Sequence, residues 1–255
     1  MLARLVAEAV VETKQRRAVL SRSEVERRAA NYSPRDFAAG LRASGLAVIA
    51  EMKQRTPSMG VLVNDYLPAN LAADYERGGA AAISVLTHAA GFGGSIEHLD
   101  EVRATVDLPI LRKDFITDPY QVVEARAHGA DAVLLIVAAL PTGKLAELLN
   151  VATRLELAAL VEVHDEGETR AAVDAGAQLI GVNHRDLRTF DVDLTLTERL
   201  RPLIPSQCIL VAESGIKNRQ DARRMRDAGA DAVLVGELLM RAADPAQAIS
   251  ELRAG

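Results

Sequence analysis

The chain has 255 residues and a formal net charge of −5, with 49% hydrophobic and 25% charged residues. This usage is typical of a soluble globular protein with enough apolar material for a large core. The mildly acidic balance argues against a nucleic-acid or membrane-surface binder, because such proteins cluster Lys and Arg. Cys208 is the only cysteine, so an internal disulfide is excluded and a reducing compartment is expected.

The longest charge-free apolar stretch runs from Ala132 to Leu140. It is far shorter than the roughly 20 residues that a membrane-spanning helix needs. Glu8 and Glu12 stand where a signal peptide would have its apolar core. We therefore expect a cytoplasmic protein without a membrane anchor.

Residues 1–45 precede the first strand-like run and are predicted to be helical. An amphipathic helix is predicted first, from the apolar spacing i, i+3, i+4, i+7, i+8 of Leu2, Leu5, Val6, Ala9 and Val10. Ser21 with Glu24 forms a capping-box pattern, and Ser33-Pro34 predicts the start of a further helix that runs to Gly45. We expect this extension to pack on the remainder of the chain and close one end of it.

A helix that ends in Gly-Ala and is followed by a short apolar run recurs along the chain. The four pairs begin at Gly79, Gly129, Gly176 and Gly229. Half of each interval is about 25 residues, the size of one strand–loop–helix unit, so each interval is expected to contain one further strand.

Eight apolar runs fit this spacing. They are Ala47–Lys53, Ala81–Leu86, Leu108–Lys113, Ala132–Val137, Ala158–Val163, Leu179–Val182, Ile209–Ala212 and Ala232–Val235. None alternates clearly, which is typical of a parallel sheet buried on both faces. Helix start signals such as Asp118-Pro119 lie between them. The turn from the first strand to the next helix lacks the G-x-G-x-x-G motif of an open dinucleotide-binding sheet. We predict an α/β protein of one domain over 1–255, a (β/α)8 barrel at 46–255 with the extension at 1–45.

Charged and polar residues concentrate where these strands end. They are Glu51, Lys53, Lys113, Glu162, Asn183 and Glu213. Alternate strand residues point into a barrel, and chemistry collects at the carboxyl ends of its strands. A single lysine at a strand end is usually solvated, but two lysines and two carboxylates at one mouth predict a polar catalytic floor. Structural ion pairing is the alternative, since burying unpaired charge costs several kcal/mol.

Glycines follow the last two strands, in Ser214-Gly215 and Gly236-Glu237, each leading into a helix. Loops after strands 7 and 8 are the recurring phosphate site of this architecture. Backbone N–H groups at helix starts attract anions, and glycine allows a close approach. The alternative is that the glycines only turn the chain.

A metal site and a reactive thiol are weaker hypotheses. Glu162 and His164 share strand parity and His184 follows the next strand, but the sequence shows no third compact ligand, so we expect no metal. Cys208 opens an apolar strand and is expected to be a core residue.

Six ordered motifs, spread over nearly the whole chain, resemble the indole-3-glycerol phosphate synthase family. They are Val48-Ile-Ala-Glu-Met-Lys53 through Pro57-Ser58-x-Gly60, Leu111-Arg-Lys-Asp-Phe115 with Asp118-Pro-Tyr120, Leu160-Val-Glu-Val-His164, Gly181-Val-Asn-His-Arg-Asp-Leu187, Ala212-Glu-Ser-Gly-Ile216 and Val235-Gly-Glu-Leu-Leu-Met240. The resemblance implies a (β/α)8 barrel of tryptophan biosynthesis. Such an enzyme converts 1-(2-carboxyphenylamino)-1-deoxyribulose 5-phosphate to indole-3-glycerol phosphate, carbon dioxide and water, without a cofactor.

The resemblance also implies residue roles. Lys113 is similar to the general acid that protonates the substrate carbonyl, and Glu162 to its acid/base partner in the loss of water. Glu51 and Lys53 resemble the pair that orients the substrate. The implied positioning residues are Asn183, Glu213 and Ser214, and the implied substrate contacts are Ser58, Gly215, Gly236 and Glu237 at the phosphate, Phe92, Phe115 and Leu187 at the aryl ring, and Arg185.

The chain departs from the family pattern at three places. His88-Ala-Ala-Gly91 stands where acidic residues and a second Phe are usual, Met59 where Lys is common, and His184 where a small or amide residue is usual. None of these removes an implied catalytic group.

Two rival functions remain open. A phosphoribosyl sugar isomerase would use Glu51 and Glu162 as its acid/base pair, although its chemistry needs no cluster of cations such as Lys53 and Lys113. The other rival is a barrel that binds a sugar phosphate without turnover. In all three cases we expect a small sugar-phosphate ligand, a monomer, and no nucleic acid.

Overall fold

The computed structural model describes residues 1–42, 45–57, 59–186 and 189–254. Two predicted substrate contacts, Ser58 and Leu187, lie outside the described residues.

Eight parallel strands form a closed barrel, as the sequence predicts. Strands β1 to β8 are Ala47–Met52, Ala82–Leu86, Ile110–Lys113, Ala132–Ile136, Ala158–Val163, Leu179–Asn183, Ile209–Glu213 and Ala232–Val235. Each strand pairs with the next in chain order, and β1 also pairs with β8, where Ile49 lies opposite Leu234.

The strands lack apolar alternation because both of their faces are buried. On β1, Val48 and Ala50 pack outward in the cluster shared with the surrounding helices, whereas Ala47 and Ile49 belong to the barrel interior. This alternation continues toward the carboxyl end of β1, so Glu51 is the next inward residue of the strand. Cys208 is buried in the outer cluster, which confirms its prediction as a core residue.

Helices surround the barrel. Helices α1 to α13 are Leu2–Val19, Arg22–Ala29, Phe37–Leu41, Pro68–Arg77, Ala89–Phe92, Glu97–Thr105, Pro119–Ala127, Lys144–Arg154, Glu166–Asp174, Leu196–Leu200, Arg219–Asp227, Glu237–Arg241 and Pro245–Arg253. Asp118 caps α7 in a capping box with Gln121, and Pro119 is its first residue. Among the described residues, no helix is both long and apolar enough to cross a membrane.

The amino-terminal extension reaches both ends of the barrel, rather than closing only one. Leu41 of α3 packs in the interior cluster with Ala47 and Ala82, which begin β1 and β2. At the opposite end, Leu2 and Leu5 of α1 line the cavity at the strands' carboxyl ends.

The third helix of the extension is shorter than predicted. It begins at Phe37, with Asp36 accepting the Ala39 N–H at 3.0 Å, not at Ser33-Pro34, and it ends at Leu41 before Gly45. The preceding segment stays extended because the Arg35 N–H donates to the Asp131 carboxylate, at 2.6 Å.

The predicted capping box of α2 forms only in part. The Ser21 hydroxyl accepts the Glu24 N–H at 3.3 Å. The Glu24 carboxylate pairs instead with Arg27 and Arg28, at 2.6 and 3.2 Å.

Candidate active site

A cavity of about 590 Å³ opens at the carboxyl ends of the barrel strands. This size is within the usual range for small-molecule sites. Every described residue among the predicted site residues lines it: Glu51, Lys53, Phe92, Lys113, Phe115, Glu162, Asn183, Arg185, Glu213, Ser214, Gly215, Gly236 and Glu237. The strand-end pattern therefore predicted one shared cavity correctly.

The Lys113 ammonium lies between two carboxylates on the cavity floor. Its Nζ is 2.9 Å from Glu162 Oε2 and 2.6 Å from Glu213 Oε2. Burial would lower the pKa of Lys113, but the carboxylates of Glu162 and Glu213 raise it above its ordinary value. Lys113 is therefore protonated at the cavity floor, where its side chain is only 13% exposed.

Glu162 has a second set of partners on its other oxygen. Asn183 Nδ2 donates to Oε1 at 3.0 Å, and His164 Nε2 lies 3.2 Å from the same atom. Burial would raise the pKa of Glu162, but Lys113 and His164 lower it well below its usual range. The residue is thus a carboxylate that can accept a proton once Lys113 has moved or lost its charge.

Glu51 and Lys53 form an ion pair on the same side of the floor as β8. Glu51 is 4% exposed, and its Oε1 accepts from Lys53 Nζ. A side chain at Gly236 would meet both groups, since a Cβ there would lie 2.5 Å from Glu51 Oε1 and 3.0 Å from Lys53 Nζ. Glycine at 236 thus leaves the pair room against the last strand.

Glu213 is a buried carboxyl group with an elevated pKa. Burial raises the pKa of Glu213 to about 7; Lys113 opposes this shift, and Glu162 adds to it. An ordinary glutamate in the unfolded chain titrates near 4.5. The folded protein therefore holds a proton here between about pH 4.5 and 7 that the unfolded chain has lost.

We expect this proton to appear in the pH dependence of stability. As pH rises from 5 to 7, the wild type should lose unfolding free energy relative to Glu213→Gln, by at most about 1.4 kcal/mol per pH unit, because only the native wild type binds the proton. Denaturant unfolding of both proteins at several pH values measures the difference. Parallel stability profiles would contradict the elevated pKa.

Gly181 on β6 makes room for the Glu213 carboxylate. A Cβ at this position would overlap Glu213 Oε1 and lie 3.2 Å from Leu160 Cδ1. We expect Gly181→Ala to displace the carboxylate from Lys113 and to lower turnover by about tenfold or more, with a small change in unfolding free energy. Gly167→Ala on α9 is the matched control and should keep full turnover. Wild-type turnover in Gly181→Ala would show that the position of Glu213 is unimportant.

An apolar wall faces this charged floor. The Phe92 and Phe115 rings lie 6.4 Å apart with a tilt of 31°, and the edge of His88 contacts both. His88 is fully buried, and its Nδ1 accepts the Gly91 N–H at 3.0 Å. The His88–Gly91 segment therefore packs against the two rings of this wall.

The predicted phosphate loops differ from each other. Gly236 leads directly into α12 at Glu237, as expected, and the Glu237 side chain turns outward to Arg241 at 3.6 Å. Ser214-Gly215 does not lead directly into a helix, because α11 begins only at Arg219. Two successive left-handed residues, with φ of 66° and 81°, form this turn instead.

The two histidines weighed for a metal site lie in separate networks. His164 lies 3.0 Å from Glu168 in addition to contacting Glu162, whereas both ring nitrogens of His184 are used by Ser214 and Thr197. Among the described residues, no three His, Cys, Asp or Glu side chains are grouped so as to hold a metal ion.

Comparison with known sequences identifies the family. The family model described as indole-3-glycerol phosphate synthase matches residues 2–252. The chain belongs to the indole-3-glycerol phosphate synthase family. It is 57% identical to indole-3-glycerol phosphate synthase 2 of Streptomyces coelicolor, over 99% of this chain and 98% of that protein. It is 49% identical to the indole-3-glycerol phosphate synthase of a Roseiflexus species, over 100% and 98% of the two chains.

Solved structures with less similar sequences share the barrel. The 3-hexulose-6-phosphate synthase of Salmonella typhimurium superposes with a TM-score of 0.68 at 15% identity, over 82% of this chain and 97% of that one. At this identity the likeness shows the fold alone. It confirms the predicted barrel class.

Sequence reasoning missed several residues of this synthase-family cavity. They include Leu2 and Leu5 of α1, and Phe190, Val192, Lys217 and Arg241 at the rim. The amphipathic pattern of α1 predicts that Leu2 and Leu5 are buried, but not against which surface. Phe190, Val192 and Lys217 lie in loops and Arg241 ends the short helix α12, so none of them belongs to a periodic pattern that could have predicted it.

Proposed function

We propose that this chain closes the indole ring of 1-(2-carboxyphenylamino)-1-deoxyribulose 5-phosphate, releasing carbon dioxide and water as a lyase of tryptophan biosynthesis. The observation that carries the proposal is the Lys113 ammonium, 2.9 Å from Glu162 and 2.6 Å from Glu213, on the floor of a cavity with an apolar wall. The family assignment supports the same reaction.

Lys113 acts as the general acid in the first step. When the aryl ring attacks the ketone carbon, the ketone oxygen gains electron density and becomes basic. A buried ammonium beside that oxygen stabilises the charge and then donates its proton. The neighbouring carboxylates keep Lys113 protonated until that moment. Loss of carbon dioxide restores electrons to the ring system.

Glu162 acts in the loss of water. The hydroxyl formed from the ketone oxygen must leave as water while a proton is removed from the new ring. Glu162 is ionised in the free site, and Asn183 holds its Oε1 at 3.0 Å. It can therefore accept the ring proton, while Lys113 and Glu213 together supply the second proton that the hydroxyl needs to leave as water.

The remaining groups bind and orient the substrate. Glu51 with Lys53 balances charge beside the reacting atoms, and the Phe92–Phe115 wall supports the anthranilate ring together with Leu187. The phosphate lies at Gly215 and at Gly236-Glu237, assisted by Ser58, with Glu213 and Ser214 as positioning residues. The outward Glu237 side chain, 43% exposed, supports this placement because it leaves the backbone side to the anion.

The phosphate is remote from the reacting carbons, so its binding holds the flexible chain in a reactive conformation. Arg185 follows β6, lines the cavity and is a further substrate contact. Its backbone N–H donates to Asn183 Oδ1 at 3.1 Å and its guanidinium to the Phe190 carbonyl at 3.2 Å.

The proposal needs neither a metal nor an organic cofactor, because an ammonium and carboxylates supply the acid and the base. We further propose that the chain works as a cytoplasmic monomer of one domain. Sedimentation of the purified protein tests the oligomeric state.

The purified protein should convert the carboxyphenylamino-deoxyribulose phosphate with a rise in indole fluorescence and release of one carbon dioxide per indole. A phosphoribosyl sugar isomerase substrate, assayed separately, should not react. Turnover of the isomerase substrate alone would favour the rival that uses Glu51 and Glu162. Tight binding of a reduced substrate analogue without turnover of the substrate would favour the non-catalytic barrel.

A further inference from the structure

His184 connects the end of β6 to two neighbouring elements. Its Nδ1 lies 2.9 Å from the Ser214 carbonyl oxygen, and its Nε2 lies 2.7 Å from Thr197 Oγ1 on α10. The residue is 2% exposed. A small side chain at this position would leave the Ser214 carbonyl without this partner.

The contact with Ser214 fixes one hydrogen of the ring. A carbonyl oxygen can only accept, so His184 Nδ1 carries a hydrogen, and the Thr197 hydroxyl can donate to Nε2 of the neutral ring. Burial lowers the pKa of His184, with Ser214 and the nearby Asp193 opposing the shift and Arg224 adding to it. The imidazole is therefore neutral and has a single orientation that satisfies both neighbours.

The Ser214 carbonyl belongs to a backbone that needs such support. Ser214 has a φ of 66°, which is uncommon for a residue other than glycine and costs free energy unless the surroundings hold it. Gly215 follows with a φ of 81°, and a Cβ there would lie 2.5 Å from Val192 Cγ1. Both residues line the cavity.

We infer that His184 is a positioning residue that locks the Ser214–Gly215 turn in the conformation facing the substrate phosphate. The ring ties the Ser214 carbonyl to α10, so the peptide that joins Ser214 to Gly215 has one direction and its N–H stays toward the cavity side of the turn. This inference rests on the proposed placement of the phosphate.

Two substitutions separate the two contacts of the ring. His184→Asn carries an amide N–H near the position of Nδ1 and keeps the donor to Ser214. His184→Gln carries its amide near the position of Nε2 and keeps only the contact with Thr197. We expect KM for the phosphorylated substrate to rise about tenfold in His184→Gln, with kcat little changed and KM in His184→Asn close to wild type.

Inorganic phosphate is the direct probe of the turn. Its inhibition constant should rise by a similar factor in His184→Gln and stay near wild type in His184→Asn. Gly215→Ala alters the turn itself, so we expect it to weaken phosphate inhibition whether or not His184 has the proposed role. Thermal unfolding of each variant distinguishes a loss of overall stability from a local change at the Ser214–Gly215 turn.

Each outcome decides the inference. Weaker phosphate inhibition in His184→Gln and Gly215→Ala, with His184→Asn near wild type, supports it. Weaker inhibition in Gly215→Ala alone overturns the role of His184 and leaves the phosphate placement intact. Equal losses in His184→Asn and His184→Gln indicate a packing role and overturn it. Unchanged inhibition in all three variants overturns the phosphate placement and the inference together.

Discussion

Replacing Lys113 with alanine is expected to lower turnover by about 10²- to 10⁴-fold or more, the usual contribution of a general acid. The ammonium provides both positive charge and a proton at the ketone oxygen. Its loss also removes the positive charge between Glu162 and Glu213, although Glu213 can take up a proton to reduce the repulsion. Steady-state indole fluorescence with saturating substrate measures the effect.

Lys113→Arg distinguishes charge from proton donation. Arginine preserves a cation between the two carboxylates, so folding should be retained, but its guanidinium does not give up a proton. We expect turnover to remain low in this variant. Lys144→Ala, which removes a partly buried surface lysine of α8 paired with Glu147, is the matched control and should match wild type. Near-normal turnover in Lys113→Ala or Lys113→Arg would reject the acid role.

Glu162→Gln is expected to produce the second large loss, again about 10²- to 10⁴-fold in indole formation. Glutamine keeps the size of the side chain but cannot accept the ring proton. Because ring closure and decarboxylation precede the loss of water, carbon dioxide should appear before indole in a single turnover of this variant. Rapid-quench measurement of both products at high enzyme concentration tests the order.

Glu166→Gln on α9 is the control for the second substitution, since its carboxylate pairs with Arg199 at the exposed surface, 2.8 Å away. It should retain wild-type turnover. Simultaneous appearance of carbon dioxide and indole in Glu162→Gln would place Glu162 at an earlier step. Unchanged turnover would remove it from the mechanism.

The strand-end pattern predicted much of the site because alternate residues of every barrel strand point into the barrel. Lys113 and Glu162 are the inward residues at the ends of β3 and β5, so closure of the sheet brings them together regardless of loop details. The Gly-Ala repeats similarly predicted the eight strands. Both signals are local and periodic, and parallel pairing preserves them in the fold.

The partners of those groups could not be predicted from the same pattern. Lys113 contacts Glu213 as closely as Glu162, and this pairing depends on Gly181 leaving space between two strands. The extended segment before α3 depends on Asp131, almost a hundred residues away in sequence. Helix α1 lies at the cavity because Leu2 and Leu5 pack against the interior cluster of the barrel. Such tertiary contacts leave no periodic trace in the chain.

A crystal structure with the reduced substrate analogue, in which a hydroxyl replaces the ketone, is the decisive test of this mechanism. We expect Lys113 Nζ within hydrogen-bonding distance of that hydroxyl, Glu162 on the same side as the reacting carbons, and the phosphate at Gly215 and Gly236. An analogue bound with its hydroxyl away from Lys113, or with its phosphate at the opposite rim, would refute the mechanism.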